Sequence, residues 1–350
     1  MKKHLLLAAA ALTLAAAANA KCWRINPNPN AKANFLTVAK AMDDANVQPG
    51  DTLLLDPGHH GNISLNKKGI TLIGTGYLLD KNTSWAETEE AVASSVTLYD
   101  SCKVEGLHVT DHIVIKEYST VSRCKTRYIV ADDSYCHGIT IEQCLLTGGN
   151  SPIPNYSSVY CAFHCKSIAP NSMILKNNII LAPLRFRYSD VGWSCPKFSY
   201  STIENNTIIC SKPDLRGENS TINNNIIIDT DSTEQMPIVF SGCDNCVVKN
   251  NVLSITGSNE TYPYNHFAGA SVDNTFVGEG SEDGMYQLAE NSPAKNAATH
   301  GGDCGAFGGE TPYILSGIPM FQPHITEAIV PKKPTDGKIT VKIKLASQDE

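Results

Sequence analysis

The stretch STIENNTIICSKPDLRGENSTINNNIIIDT, Ser201 to Thr230, writes one phrase twice: an aliphatic residue, a polar one, two asparagines and a short aliphatic run. Asn205 and Asn206 stand ahead of Ile208 and Ile209, and Asn224 and Asn225 directly before Ile226 to Ile228. The phrase recurs as LKNN ending at Asn178 and VKNN ending at Asn251, and in variant form as VSRC ending at Cys124 and IEQC ending at Cys144. Counted from Cys124, the successive intervals are 20, 34, 28, 19 and 26 residues. A repeat with a floor near 19 and a variable excess is one supersecondary unit carrying insertions.

The aliphatic runs are three to five residues long, rich in Ile and Val and without helical spacing, which predicts short strands. Roughly 20 residues cannot hold a strand plus the crossover helix of a βαβ unit, which needs about 30. They can hold one coil of a parallel β-helix, three short strands separated by bends. Asparagine then has two uses: it tolerates the left-handed backbone region at a bend, and amides stacked about 4.8 Å apart can hydrogen-bond along the stack. In this alignment Cys124 and Cys144 fill asparagine positions, and Cys246 fills the place of Ser201, so these cysteines read as small buried ladder residues.

The first twenty residues, MKKHLLLAAAALTLAAAANA, have a basic start, an apolar stretch and small residues at Ala18 and Ala20, the pattern of a signal peptide cleaved before Lys21. Cys22 would be the acylated residue of a lipoprotein, but Lys21 is the wrong neighbour for one. Removing twenty of 350 residues leaves 330, and losing Lys2 and Lys3 leaves 26 Lys+Arg against 35 Asp+Glu, a formal charge of −9. The expectation is a periplasmic or extracellular protein without a membrane span. So acidic a chain is a poor nucleic-acid binder. An acidic polymer would need a local basic patch or a bridging cation. Twelve cysteines in an exported chain invite a disulfide framework. A zinc site would want a second pair beside Cys243 and Cys246, and Cys161 and Cys165, with His164 between them, are wrongly spaced. A local disulfide and buried thiols both stay open.

Open ends of such a fold need covering. In ANFLTVAKAMDDA, Phe35, Val38, Ala39 and Met42 have helical spacing, which predicts a capping helix. Strands Thr52 to Leu55, Asn62 to Leu65 and Ile70 to Ile73, cut by Pro57, Gly58, Gly61 and Gly69, make a first coil. After Gly309 a proline-rich segment precedes GKITVKIKLASQDE, where Ile339, Val341, Ile343 and Leu345 alternate with polar residues. That pattern predicts an extended wrap ending in a half-buried strand.

FLTVAKAM, PGDTLLLDPG and GITLIG resemble the opening coil of the pectate-lyase-like right-handed β-helix superfamily, and YQLAENSPAKNAATHGGDCGAFGG, Tyr286 to Gly309, is similar to its closing coil. The resemblance covers roughly residues 33 to 310, and extends to exported β-helix proteins of gut Bacteroidetes. It implies an all-β, single-stranded right-handed parallel β-helix over 21–310, with an extended tail over 311–350. It carries fold rather than activity. Polygalacturonases of the superfamily bear NTD, DD, GHG and RIK segments, of which only an isolated DD is present. The aspartate-histidine and RxPxxR segments of the best-known pectate lyase branch are not intact either.

Chemistry is expected in the excess over the minimal coil. The insertion TGGNSPIPNYSSVYCAFHCKSIAPNS brings Tyr156, Tyr160, Phe163 and His164; APLRFRYSDVGWSCPKFSYS brings Arg185, Arg187, Tyr188, Asp190, Trp193, Lys197 and Tyr200. Aromatic faces for sugar rings beside cations for carboxylates describe a polysaccharide cleft. Lyase cleavage of a uronate needs the C5 proton removed and the carboxylate neutralised. Arg185, Arg187 and Lys197 are the candidate base and clamps, and Asp132 and Asp133 the candidate ligands of Ca2+. The rival reading is a non-catalytic glycan-binding or surface interaction protein.

Overall fold

The computed structural model describes residues 20–131, 137–153, 156–165, 170–185, 197–231, 240, 243–256, 263–320, 324–331, 333 and 337–346, without the side chains of 151–159, 185 and 324. The expected signal segment, residues 1–20, lies outside the described residues apart from Ala20. Two long sheets dominate, and the chain visits them alternately. In the first sheet ten strands pair in parallel, among them Thr120–Ser122, Thr140–Glu142, Ile174–Lys176, Thr202–Glu204, Thr221–Asn223 and Val247–Lys249. Their central residues, Val121, Ile141, Leu175, Ile203, Ile222 and Val248, stack in register and are buried. In the second sheet Leu145–Leu146, Ile179–Ile180, Thr207–Cys210, Ile226–Asp229 and Val252–Leu253 stack likewise. This arrangement is compatible with a parallel β-helix. A narrow third ladder joins His137, Asn171, Ser199, Glu218 and Asp244.

The corner between the two sheets divides the asparagine pair. Its first member is left-handed: Asn177, Asn205, Asn224 and Asn250 have φ of 53°, 53°, 56° and 55°, and Arg123 and Gln143 hold the same position at 53° and 55°. Its second member turns inward and is fully buried. The amide oxygens of Asn206, Asn225 and Asn251 accept the backbone N–H of Asn178, Asn206 and Asn225 at 3.0, 2.9 and 3.1 Å. The same oxygens also accept the side-chain amides of Asn178, Asn206 and Asn225 at 2.9, 3.0 and 2.9 Å. Asn265 extends the row, accepting from Asn251 N–H at 3.1 Å. Cys144 takes the asparagine role with sulfur, receiving Cys124 N–H and donating to the Val121 carbonyl, both at 3.5 Å. Sulfur fits because the position asks for one weak acceptor and one donor in a space too small for much else.

A returning segment, Ala297 to Met320, runs across this corner, and the left-handed residues hold it. Asn250 donates to Ala297 O, Asn177 to Ala306 O and Gly308 O, Gln143 to Pro312 O, and Arg123 to Ile318 O. Glycine is required where the strap passes closest: a Cβ on Gly309, at φ +76°, would lie 2.3 Å from Asn205 Nδ2. Because the strap and its approach cover the outer side of the second sheet, Ile226 and Ile228 pack under Ala294, Ala297 and Phe276 while Ile227 faces the main core. A strand buried on both faces needs an unbroken apolar run. Buried Asp283 anchors the strap, accepting from Asn82 and Ser281 on one oxygen and from Tyr313 and the Ser316 N–H on the other.

The first-coil strands fall close to expectation, at Thr52–Leu55, Asn62–Ser64 and Thr71–Ile73. Both ends differ from the sequence reading. The helix is only Val38–Asp43 and buries Val38, Ala41 and Met42; Ala39 is exposed and Phe35 lies ahead of it, bridged to Ile25. The edge of the first sheet is occupied by an unforeseen strand, Cys22–Ile25, paired with Thr52–Leu55 and fixed by Trp23 Nε1 donating to Asp51 at 2.7 Å. At the other end, the expected half-buried strand is instead one arm of an antiparallel pair, His324–Ile329 with Lys342–Ala346, and Ile343 and Leu345 are 53% and 67% exposed. Among the described residues no helix is long and apolar enough to cross a membrane.

The ladder predicts a graded response at Asn206. Asn206→Leu strips partners from Asn178 N–H and the Leu175 carbonyl, and at about 1–3 kcal/mol per orphaned buried group it should cost roughly 3–5 kcal/mol in urea unfolding. Asn206→Cys, which copies Cys144, should cost clearly less; equal losses would contradict the ladder.

Candidate functional site

The first insertion leaves the second sheet in mid-strand. After Leu145–Leu146 the chain makes a hairpin, Gly149–Ile153 with Tyr156–Cys161, and re-enters the sheet at Phe163–Cys165. The hairpin therefore rises from the sheet's outer face. Beside it lies a cleft of about 400 Å³ lined by Tyr160, Leu181, Pro183, Ile209, Cys210, Ser211, Thr230 and Tyr286. Tyr160 is half exposed, its ring beside Gly148 and its hydroxyl donating to Thr147 O at 3.3 Å. Tyr286 comes from the stretch ahead of the returning segment, braced edge-on by Phe276 with ring centroids 5.6 Å apart. Burial, and then the charge of Glu282, hold its phenol above the ordinary value, so it is a neutral hydrogen-bonding group. The cleft thus offers two phenols and two hydroxyl residues over an aliphatic floor.

Upstream on the same face lies a titratable strip. Arg127 O accepts Gly148 N–H, and Asp111 O accepts Arg127 N–H, so these residues sit on successive strands leading away from Tyr160. His112 Nδ1 meets Asp111 at 2.8 Å and its ring stacks on Tyr128 at 5.3 Å; Arg127 approaches Asp111 at 3.7 Å. His108 Nδ1 meets Glu90 at 2.6 Å, and Lys125 pairs with Glu282 at 2.5 Å. Burial works to raise the Glu90 carboxyl, but the hydrogen bond and charge of His108 hold it below its usual value. A carboxylate on Nδ1 leaves the outer nitrogen of a neutral imidazole as the basic one.

Part of each insertion reaches this cleft, and most of the second lies outside the described residues. Tyr160 lines the cleft, and Pro183 brings the start of the second insertion to it. Tyr156 lies on the hairpin and Arg185 on Leu184–Arg185, at the end of the second sheet next to His164 in register, with their side chains outside the described residues. His164 is 1% exposed within the sheet, so it presents no surface to a ligand there. Lys197 and Tyr200 flank Phe198–Ser199 on the narrow third side. Lys197 is engaged by Asp244, a hydrogen bond that raises its pKa, the opposite of what a basic lysine needs. Tyr200 is a left-handed corner residue, 64% exposed. Arg187, Tyr188, Asp190, Trp193, Asp132 and Asp133 lie outside the described residues. Among the described residues no three His, Cys, Asp or Glu converge on a metal position. Tyr286, Ser211 and Thr230 were not foreseen, since nothing local in YQLAEN or CSKP tells that the stacked second sheet and the stretch before the strap bring them beside Tyr160. Asp111 and His112, adjacent in the chain, were the legible signal for the strip.

No protein-family model and no curated protein matches the chain.

Cys22, Cys102, Cys124, Cys144 and Cys304 are free thiols, and Cys243 and Cys246 stand close enough to interact. Burial pushes the Cys124 thiol from 9.0 up to about 12 and raises Cys144 well above 9.0. Folding therefore favours the protonated thiols. Their contribution is intact below pH about 9, where unfolded thiols are still protonated, and is lost as pH rises towards 12. Urea midpoints should fall across that window more steeply than in Cys124→Ala, and iodoacetamide at neutral pH should label exposed Cys22 long before Cys124. Equal labelling would contradict their burial.

Proposed function

We propose that the protein is a right-handed parallel β-helix, its N-terminal end covered by Val38–Asp43 and Cys22–Ile25, that is exported and handles polysaccharide in the cleft on its second sheet. The observation that carries this reading is that Tyr160 and Tyr286 line one open, aliphatic-floored cleft with hydroxyls at Ser211 and Thr230. Tyrosines present flat apolar faces with polar tips, which suit the C–H faces and hydroxyls of sugar rings. Among the described residues the cleft is lined by phenols, hydroxyls and aliphatic groups, chemistry that supports binding.

The lyase reading on a uronate-containing glycan draws on the neighbouring strip, where His112 and Arg127 combine an imidazole base with a carboxylate partner. Ca2+ would enter through Asp132 and Asp133.

The test is affinity electrophoresis and calorimetry against a panel of uronate and neutral polymers, with and without Ca2+, while unsaturated product is followed by ultraviolet absorbance. Binding to at least one polymer is expected. Tyr160→Ala and Tyr286→Ala should each weaken it about tenfold, as an aromatic contact worth about 1–1.5 kcal/mol implies. Absence of binding to any polymer, or binding indifferent to both substitutions, would overturn the cleft; binding without product would sink the lyase reading alone.

A further inference from the structure

The C-terminal hairpin has one apolar face that nothing in the chain's described residues covers. The register of His324–Ile329 against Lys342–Ala346 places Ile325 opposite Leu345 and Ala328 opposite Ile343 on one face, and Glu327 opposite Lys344 and Ile329 opposite Lys342 on the other. Glu327 bridges both Lys342 and Lys344. The charged face is thus self-satisfied, and those side-chain hydrogen bonds hold the Glu327 carboxyl below its usual value. On the opposite face Ile343 and Leu345 are joined by Val330 and Val341, which flank the paired strands, at 53%, 67%, 63% and 48% exposure. Ile339 continues the alternation at 57%.

Such a surface is uncommon on a monomer, where exposed apolar side chains are scattered singly. Here they are not scattered. Of the eleven large non-aromatic apolar residues that are exposed among the described residues, six lie between Ile329 and Leu345, all but Ile329 on this face, whereas Leu36, Ile174, Val247, Val277 and Met320 come from five separate segments. An isolated two-stranded hairpin is also marginal in water and needs a third layer or a partner. Its tie to the body is the Ala86 N–H donating to the Ile325 carbonyl at 3.1 Å.

We infer that this face is a self-association surface, and that its occupant is the same hairpin of a second copy of this chain. The matching partner must be uncharged, aliphatic and of similar extent, and within the described residues only the hairpin itself has those properties. A two-fold arrangement satisfies both copies at once, because an isologous contact needs a single self-complementary patch. Packing the two faces makes a four-stranded sandwich with the Glu327–Lys pairs outward. A patch of roughly a few hundred Å² on each copy lies at the low end of specific interfaces, the size class of weak, concentration-dependent association. This inference is independent of the glycan reading.

Sedimentation equilibrium of the full chain from about 1 to 200 µM tests it. The mean mass should rise from one copy towards two. The double substitution Ile343→Lys with Leu345→Lys should give one copy throughout, while Lys342→Ser, on the opposite face, should leave the rise in place. Because the lysines can open the hairpin, hydrogen exchange of the wild-type amides over residues 325–345 is followed in parallel and should slow as concentration increases. A single-copy mass across the range, exchange independent of concentration, or a double variant that still dimerises would each overturn the inference. So would a single-copy chain that instead co-sediments with anionic phospholipid vesicles.

Discussion

The bend between the two long sheets is the constraint on which the rest of the molecule depends. Each pass of the chain must turn there in two residues, one left-handed and one buried. A left-handed conformation costs an ordinary residue about 1–2 kcal/mol, and a buried polar side chain costs more unless every bonding group is met. Asparagine meets both demands, but with different members of the pair. Asn205 accepts the backbone conformation, while Asn206 fills the space inside and bonds to the strands before and after it. The amide row runs from Cys144 through Asn178, Asn206, Asn225 and Asn251 to Asn265, and it fixes the register of both sheets at once.

The outward member of each pair has its own consequence. Left-handed residues point their side chains away from the core, and at Arg123, Gln143, Asn177 and Asn250 those side chains bind the returning strap. The strap in turn binds Asp283, three residues before Tyr286, which lines the cleft with Tyr160. Cleft geometry thus follows from the corner through two steps of hydrogen bonding. The hairpin that carries Tyr160 is an insertion within a strand, which the sheet tolerates because the residues on either side, Leu146 and Phe163, keep their places in the core. A wall added in this way leaves the stack intact.

Much of this was legible in the sequence. The repeat interval excluded a crossover helix, the aliphatic pattern marked the strands, and the alignment of Cys124 and Cys144 with asparagine anticipated their burial. Local pattern could not say which asparagine of a pair turns inward, since both conformations are available to that residue and only the stack decides. It misjudged the ends for a related reason. Phe35, Val38, Ala39 and Met42 have helical spacing, but Phe35 is drawn into a bridge with Ile25, and the alternation Ile339, Val341, Ile343, Leu345 reports an amphipathic strand without reporting what covers it. The site was the least legible part. Tyr160 and Tyr286 line one cleft though far apart in the chain, while Lys197 and Tyr200, close to Arg185 in sequence, lie on the narrow third side.

The inner amides of the corner form a continuous, buried ladder, and hydrogen exchange read by NMR tests its continuity. The backbone N–H of Cys144, Asn178, Asn206 and Asn225, together with the side-chain amides of Asn178, Asn206 and Asn225, should fall in the slowest-exchanging class and open only with global unfolding. Side-chain amides that exchange at the rate of exposed asparagines would contradict the ladder and, with it, the account of how the two sheets are held in register.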